Sequence, residues 1–346
     1  MVTPASMPAL VRAPRKLQIV AACGLAASAL CLAPSSTMAQ PQGQTLVAPA
    51  AHPWLTVAQL RTIYGDRHSR YMTIHGMDVH YKDEGPRGAP VLFLVHGSVS
   101  SLRSWDRITM LLKGRYRVIR YDIPGFGLSG TISDGAAARV LPTDIPLALL
   151  DALGVRKATV VGVSSGGTMG MYLVARRPEL FERLILSNTP SDPVKTGNLV
   201  QPPSFLAAQA RVKSTGFSDQ DFWNEFLSYF SGKPGRISAG TRREYYDFGR
   251  RFPEKHPIAM VARIGDGKQA TIEMAKITAP TMLIWGGADP LLPKPAADAI
   301  ERYLAAAPIS RAVLPDVGHY PPLEVPDRFA RLMVDYIEAV TPKSAP

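Results

Sequence analysis

Apolar and polar positions change rhythm several times along the chain, and each change marks an element. Val91-Leu92-Phe93-Leu94-Val95 is wholly apolar, the pattern of a strand covered on both faces. Similar short runs recur at 117–121, 158–163, 184–187, 281–285 and 311–314. Between most of them, at 142–153, 168–177 and 295–306, apolar residues recur at three- and four-residue spacing and predict helices. Strand and helix in alternation predict an α/β fold, a mainly parallel doubly wound sheet with helices on both faces. Ahead of it, 71–74 and 78–82 alternate in character around His75-Gly76-Met77 and predict a β-hairpin. Residues 56–64 predict a short helix capped by Thr56 and followed by Gly65.

One interval breaks the alternation. From Thr189 to Lys276 no buried-strand run occurs, and the stretch is rich in aromatics. It is far too long for a structureless loop in a compact domain, so it predicts a helical unit (189–276) inserted into a core made of 71–188 and 277–346. Phe222, Phe226, Tyr229 and Phe230 share one helix face. These rings fit two roles equally, lining for an apolar substrate or the insert's own core.

The beginning of the chain has a separate character. Arg12, Arg15 and Lys16 precede an apolar run from Leu17 to Ala33, and Pro34-Ser35-Ser36-Thr37-Met38-Ala39 follows. Basic start, apolar centre and small residue describe a secretory signal at 1–39, with cleavage expected after Ala39 and a periplasmic or secreted product. An uncleaved membrane anchor is the alternative, because the run is at the short edge for spanning. Residues 40–70 then form a Gln-, Pro- and Ala-rich leader and the short helix. Both cysteines, Cys23 and Cys31, fall inside the signal; the mature chain has no thiol chemistry and no disulfide to lean on. Losing Arg12, Arg15 and Lys16 lowers the formal charge from +11 to +8. The basic residues are dispersed, without zinc-finger spacing or basic heptads, so no nucleic-acid partner is expected.

Candidate chemistry sits at the ends of the apolar runs. Gly162-Val163-Ser164-Ser165-Gly166 follows the run 158–163 and precedes a predicted helix. Alone, G-x-S-x-G is a weak signal; between a strand and a helix it describes a sharp turn presenting a serine nucleophile. A serine alcohol needs a base to take its proton. Of seven histidines, His52, His68, His75, His80 and His256 read as surface or turn residues. His319 follows Val317-Gly318 beyond the last apolar run and is the candidate base. Asp289, in Gly286-Gly287-Ala288-Asp289-Pro290, is the candidate acid that orients it. Asp192 is the nearest alternative carboxylate after the preceding strand. The oxyanion is expected to meet the backbone N–H groups of Ser165 and of Ser98, in His96-Gly97-Ser98. His96 reads as a shaper of that turn.

With these residues in view, the chain from about residue 70 onward resembles the α/β-hydrolases of the esterase, epoxide hydrolase and dehalogenase type that carry a helical cap. The resemblance rests on Val95-His96-Gly97-Ser98, Tyr121-Asp122-Ile123-Pro124-Gly125-Phe126-Gly127-Leu128-Ser129, the Ser164 turn, Gly287-Ala288-Asp289-Pro290 and Gly318-His319. It implies Ser164 as nucleophile, Asp289 as acid, His319 as base and 189–276 as the cap; Asp122 belongs to a turn that is mostly structural in similar proteins. Similar dehalogenases and epoxide hydrolases carry Asp at the nucleophile position, where this chain has Ser164, and serine directs attack to a carbonyl carbon. The expectation is therefore an exported serine hydrolase of apolar carboxylic esters or lactones, with no cofactor and no metal. C–C bond hydrolysis of ring-cleavage products and perhydrolase or haloperoxidase activity are alternatives with the same triad. A ligand-binding protein on the same scaffold is the alternative from another class.

Overall fold

The structure, a computed structural model, describes residues 54–191, 199–251 and 272–339. The expected signal, His52, Asp192 and His256 lie outside the described residues. Helix α1 (Val57–Tyr64) opens the described chain. Thr56 caps it: its hydroxyl accepts the Gln59 N–H while the Gln59 side chain accepts the Thr56 N–H, a reciprocal capping box. Strands β1 (Arg70–Ile74) and β2 (Met77–Glu84) form the expected hairpin. Its turn is His75-Gly76, both with positive φ (49° and 77°), the geometry of a two-residue hairpin whose twist matches its strands.

Strands β3 (Val91–Val95), β4 (Arg117–Tyr121), β5 (Ala158–Val163), β6 (Phe181–Ser187), β7 (Thr281–Gly286) and β8 (Ile309–Leu314) complete an eight-stranded sheet in the order β1-β2-β4-β3-β5-β6-β7-β8. β1 pairs with β2, and β2 with β4, antiparallel; every other pairing is parallel. The fold is thus a mainly parallel doubly wound sheet, as expected. β4, β5 and β7 are buried along their whole length, because helices cover both faces. β8 is different: it is the sheet's edge and half exposed.

Helix α2 (Asp106–Leu112) follows β3 through a 3₁₀ turn at Leu102–Trp105, and α3 (Asp134–Arg139) and α4 (Asp144–Ala152) lead into β5. α5 (Ser165–Arg176) follows β5 directly. Between β6 and β7 lie α6 (Pro203–Thr215), α7 (Gln220–Phe230) and α8 (Ala239–Gly249). α9 (Lys294–Tyr303), α10 (Pro321–Glu324) and α11 (Pro326–Ala339) close the described chain. No helix among the described residues is long and apolar enough to cross a membrane.

The aromatic question of the inserted helices has a structural answer. The Phe205 ring of α6 lies 5.2–6.4 Å from those of Phe222, Phe226, Tyr229 and Phe230, so these rings form the inserts' own core. The inserted helices are tied to the rest of the chain at several points. Arg103 Nε donates to Glu244 at 2.7 Å and the Tyr64 hydroxyl donates to Asp247 at 2.7 Å. Arg251 donates to the Gly127 and Ser129 carbonyls.

Candidate active site

Reversal of strand order in an open α/β sheet leaves a crevice beyond the carboxyl ends of the strands, where ligands bind. Here the chain runs outward from β3 to β4 and then returns to place β5 on the other side of β3. The segments that leave β3 and β5 are the ones the sequence singles out, His96–Ser98 and the Ser164 turn.

Ser164 has φ 54° and ψ −130°, a backbone conformation that costs a non-glycine residue and persists only where its surroundings enforce it. Three glycines make that possible. A Cβ on Gly162 would stand 2.3 Å from the Gly166 carbonyl oxygen, and one on Gly166 would stand 2.3 Å from that of Val95. One on Gly167 would overlap the Thr189 side chain. The β5–α5 turn therefore closes tightly, and close against β3, only with hydrogen at those positions.

Ser98 and Ser165 meet across this gap, their hydroxyl oxygens 2.9 Å apart. Neither backbone N–H has an acceptor among the described residues. Two unsatisfied donors beside a strained serine make a site for a developing oxyanion. The neighbouring Val99 also has positive φ (53°), a further sign of a loop held in an unusual shape. His96 is fully buried; its Nε2 accepts the Ile123 N–H at 3.0 Å and its Nδ1 lies 2.7 Å from the Gly97 carbonyl. Those two bonds require a neutral ring with the proton on Nδ1. Burial lowers its pKa, outweighing the opposing effects of the Asp122 charge and the Gly97 carbonyl. His96 thus braces the turn, as its sequence position suggests.

Asp289 follows β7 and His319 follows β8. His319 Nδ1 lies 2.7 Å from Asp289 Oδ2, and both side chains are buried. That bond leaves Nε2 free to work and fixes the ring's tautomer. Asp289 is held in turn by the Leu291 N–H on Oδ1 and by Asn188 Nδ2 on Oδ2, each at 2.8 Å. The His319 N–H donates to the Phe230 carbonyl at the end of α7 at 2.7 Å. His319, Ser164, Ser98 and Gly97 line one narrow pocket, which Tyr245 of α8 and Tyr320 also bound. Ser164 and His319 share it without a hydrogen bond between them; such contacts commonly tighten only with substrate bound.

The structure thus brings together the five residues named from the sequence. It corrects one expectation: His80 is not a surface or turn residue. It is buried in β2, with Nδ1 2.7 Å from Asp122 Oδ2 and Nε2 2.9 Å from Ser69 Oγ. β2 is buried on both faces at this point, Val79 on one and His80 on the other, and His80 is tolerated there because both ring nitrogens are partnered. Asp122 also accepts the Leu102 and Leu128 N–H groups. Burial acts to raise its pKa, yet the His80 bond and charge, the His96 ring and the Leu102 N–H hold it below the usual carboxylate range.

Two further residues were not singled out from the sequence. Asn188, at φ 39°, donates to Asp289 and accepts the Gly286 N–H at 2.8 Å. Glu324, its side chain buried, accepts the Gly318 N–H on Oε1 and the Gly232 N–H on Oε2, each at 2.9 Å. Among the described residues no group of three or more His, Cys, Asp or Glu side chains is arranged to hold a metal ion.

Comparison with known proteins agrees with this architecture. The chain is 39% identical over 127 residues to a bifunctional esterase/perhydrolase of Acinetobacter calcoaceticus, a match covering 36% of this chain and 46% of that protein. The matched part therefore spans less than half the length of that relative. It is 31% identical over 274 residues to a 2-hydroxymuconate semialdehyde hydrolase of a Pseudomonas species, covering 76% of this chain and 91% of the relative. Among solved structures it resembles the 2-hydroxy-6-oxo-6-phenylhexa-2,4-dienoate hydrolase of a Rhodococcus species, with a TM-score of 0.64, 19% identity, and 78% and 98% of the two chains covered. The model of the alpha/beta hydrolase family matches residues 92–332, a span running from β3 through the Ser164 turn to His319, and the chain is a member of that family.

Proposed function

We propose that the protein is a serine hydrolase that cleaves carboxylic esters, lactones included, through an acyl-enzyme on Ser164. The observation that carries this reading is the meeting of a strained Ser164 with the two unpaired N–H groups of Ser98 and Ser165 and with the His319–Asp289 pair. Ser164 Oγ attacks the ester carbonyl carbon as His319 Nε2 takes its proton. The oxyanion sits on the Ser98 and Ser165 N–H groups, worth roughly 10²–10³ in rate per donor. The intermediate collapses as His319 protonates the departing alcohol oxygen. Water, deprotonated by His319, then attacks the acyl carbon and restores Ser164. Asp289 stabilises the imidazolium formed in each half-reaction and keeps Nδ1 protonated. The helices between β6 and β7 serve as a cap over this pocket, with Tyr245 facing the serine's side.

The similarity to a 2-hydroxymuconate semialdehyde hydrolase favours a second reading, C–C bond hydrolysis by the same residues. A panel of nitrophenyl esters, lactones and ring-cleavage diketo acids separates the two. Turnover of esters with kcat/KM far above that of the diketo acids supports the first reading, and the reverse order establishes the second.

Export belongs to the same proposal and rests on the basic, apolar and small-residue succession at 1–39. The mass of the protein recovered from an exporting host tests it. A chain beginning at Gln40 supports export with cleavage, and a full-length chain in the membrane fraction replaces it with anchoring.

A further inference from the structure

We propose that Ser100 and Tyr245 form a neutral hydrogen-bonding subsite that selects substrates with an oxygen atom in the acyl portion, such as keto-, hydroxy- or alkoxy-substituted esters, over plain alkanoates. This rests on the ester-hydrolysis reading of the Ser164 site and names its substrate class.

Both residues line the pocket that holds Ser164 and His319. Ser100 comes from the loop after β3, two residues beyond Ser98. Tyr245 reaches down from α8 of the inserted helices. Their hydroxyl oxygens lie 3.0 Å apart, buried. Each hydroxyl carries one proton, and one of the two protons suffices for the bond between them. The other has no acceptor among the described residues. A buried O–H donor without an acceptor costs free energy, which a ligand oxygen would recover.

The character of the donor is set as well. Burial raises the Tyr245 pKa above its ordinary value, the Ser100 bond opposing and the Glu244 charge adding to it, so the phenol stays protonated at any pH where the enzyme works. A neutral donor recognises a neutral oxygen such as a ketone, ether or alcohol. The neighbouring Ser104 cannot compete, since its hydroxyl donates to the Ser101 carbonyl at 2.8 Å. Apolar surface from Val163, Pro322 and Leu323 supplies other parts of the lining. The pair also spans two separate parts of the chain, the β3 loop and the inserted helices, and an oxygen bound there would be read by both.

Matched nitrophenyl esters test this: methoxyacetate against butanoate, and 4-oxopentanoate against hexanoate. Dividing each kcat/KM by the rate of hydroxide-catalysed hydrolysis of the same ester removes its intrinsic reactivity. The wild-type enzyme should favour at least one oxygen-bearing member by roughly tenfold or more after that correction, the size of one neutral hydrogen bond. The double variant Ser100→Ala/Tyr245→Phe should collapse the preference to near unity, and Tyr245→Phe alone should weaken it less, because Ser100 keeps a proton to donate. No corrected preference in the wild type overturns the proposal without any variant. So does a double variant that keeps the preference, or one in which both members of a pair fall equally. Failure of all four esters to react counts instead against the ester-hydrolysis reading.

Discussion

Asn188 and Asp289 stand 101 residues apart in sequence, and Asn188 Nδ2 lies 2.8 Å from Asp289 Oδ2, the oxygen that also meets His319 Nδ1. That oxygen therefore receives two hydrogen bonds, and Asn188 fixes its position by a second grip on the Gly286 N–H at the end of β7. Asn tolerates the left-handed φ of 39° at this site better than most residues.

Asn188→Ala should thus act twice, losing the side-chain bonds and straining the backbone. Stability should fall by about 2 kcal/mol, and kcat/KM for the best ester by roughly tenfold as the acid loosens. Asn188→Gly relieves the backbone and not the bonds. If denaturant midpoints and rates show Asn188→Gly close to wild type in activity, the hydrogen bonds to Asp289 have no part in turnover.

Glu324 performs the matching task for the base. Its buried carboxylate joins the Gly318 N–H, one residue before His319, to the Gly232 N–H just past α7. Room is short there: a Cβ on Gly318 would stand 2.2 Å from the Phe230 carbonyl oxygen. Glu324→Gln puts an amide NH₂ where an acceptor is required, leaving two donors facing each other. A loss of roughly tenfold in kcat with a smaller change in KM is expected, because the group acts through His319 and touches no substrate. An unchanged kcat would show that the His319 loop holds its place without the carboxylate.

How far the chain could be read in advance follows from where each signal resides. β3 and β5 lie where the apolar runs put them, because strands buried on both faces favour apolar sequence; β4 also lies where expected, with Arg117 and Arg120 buried against Asp83 and Glu84. β8 begins earlier than its apolar run, at Ile309 rather than Arg311, since an edge strand tolerates an exposed Ser310. Ser164, Asp289 and His319 were legible from short motifs at strand ends. Asn188 and Glu324 were not, because Asp289 stands 101 residues from the first and Gly232 92 residues from the second, and nothing in local spacing encodes that. His80 was misjudged for a similar reason: its burial depends on Asp122, 42 residues away, and on Ser69 at the start of the hairpin. The helix Pro326–Ala339 did carry a signal, with Phe329, Met333, Tyr336 and Ile337 buried along one face.

His96 makes stability depend on pH. In the unfolded chain an imidazole takes up its proton near 6.5, roughly. In the folded chain burial lowers that value, and protonation would cost the Ile123 bond. Below about 6.5 the unfolded state binds more protons. The stability His96 contributes is therefore fully present above that pH and is lost as pH falls toward the folded value, at up to about 1.4 kcal/mol per unit. Urea midpoints from pH 7.5 to 5.5 for wild type and His96→Gln test this. The gap between the two should narrow as pH falls, and parallel curves would remove His96 as the titrating group.

Two Ser–His–Asp groupings occur among the described residues, and only one should react. Ser69, His80 and Asp122 have the contacts of a triad, at 2.9 and 2.7 Å. Ser69 nevertheless lacks what Ser164 has. Its Oγ accepts the Asp66 N–H at 3.1 Å, and its backbone has no positive φ, whereas that of Ser164 is 54°. Ser164 also stands beside two free N–H donors, those of Ser98 and Ser165. Hydrogen-bonded contact with a base activates a serine; stabilised negative charge makes the attack productive. A fluorophosphonate should therefore add once per chain, on the peptide carrying Ser164. Ser164→Ala should abolish that label and lower ester turnover by about 10⁴-fold or more, with the thermal midpoint little changed. Ser69→Ala should label as wild type does. Mass spectrometry of the labelled digest decides it: a modified Ser69 peptide, or labelling that survives Ser164→Ala, would move the nucleophile from the β5–α5 turn.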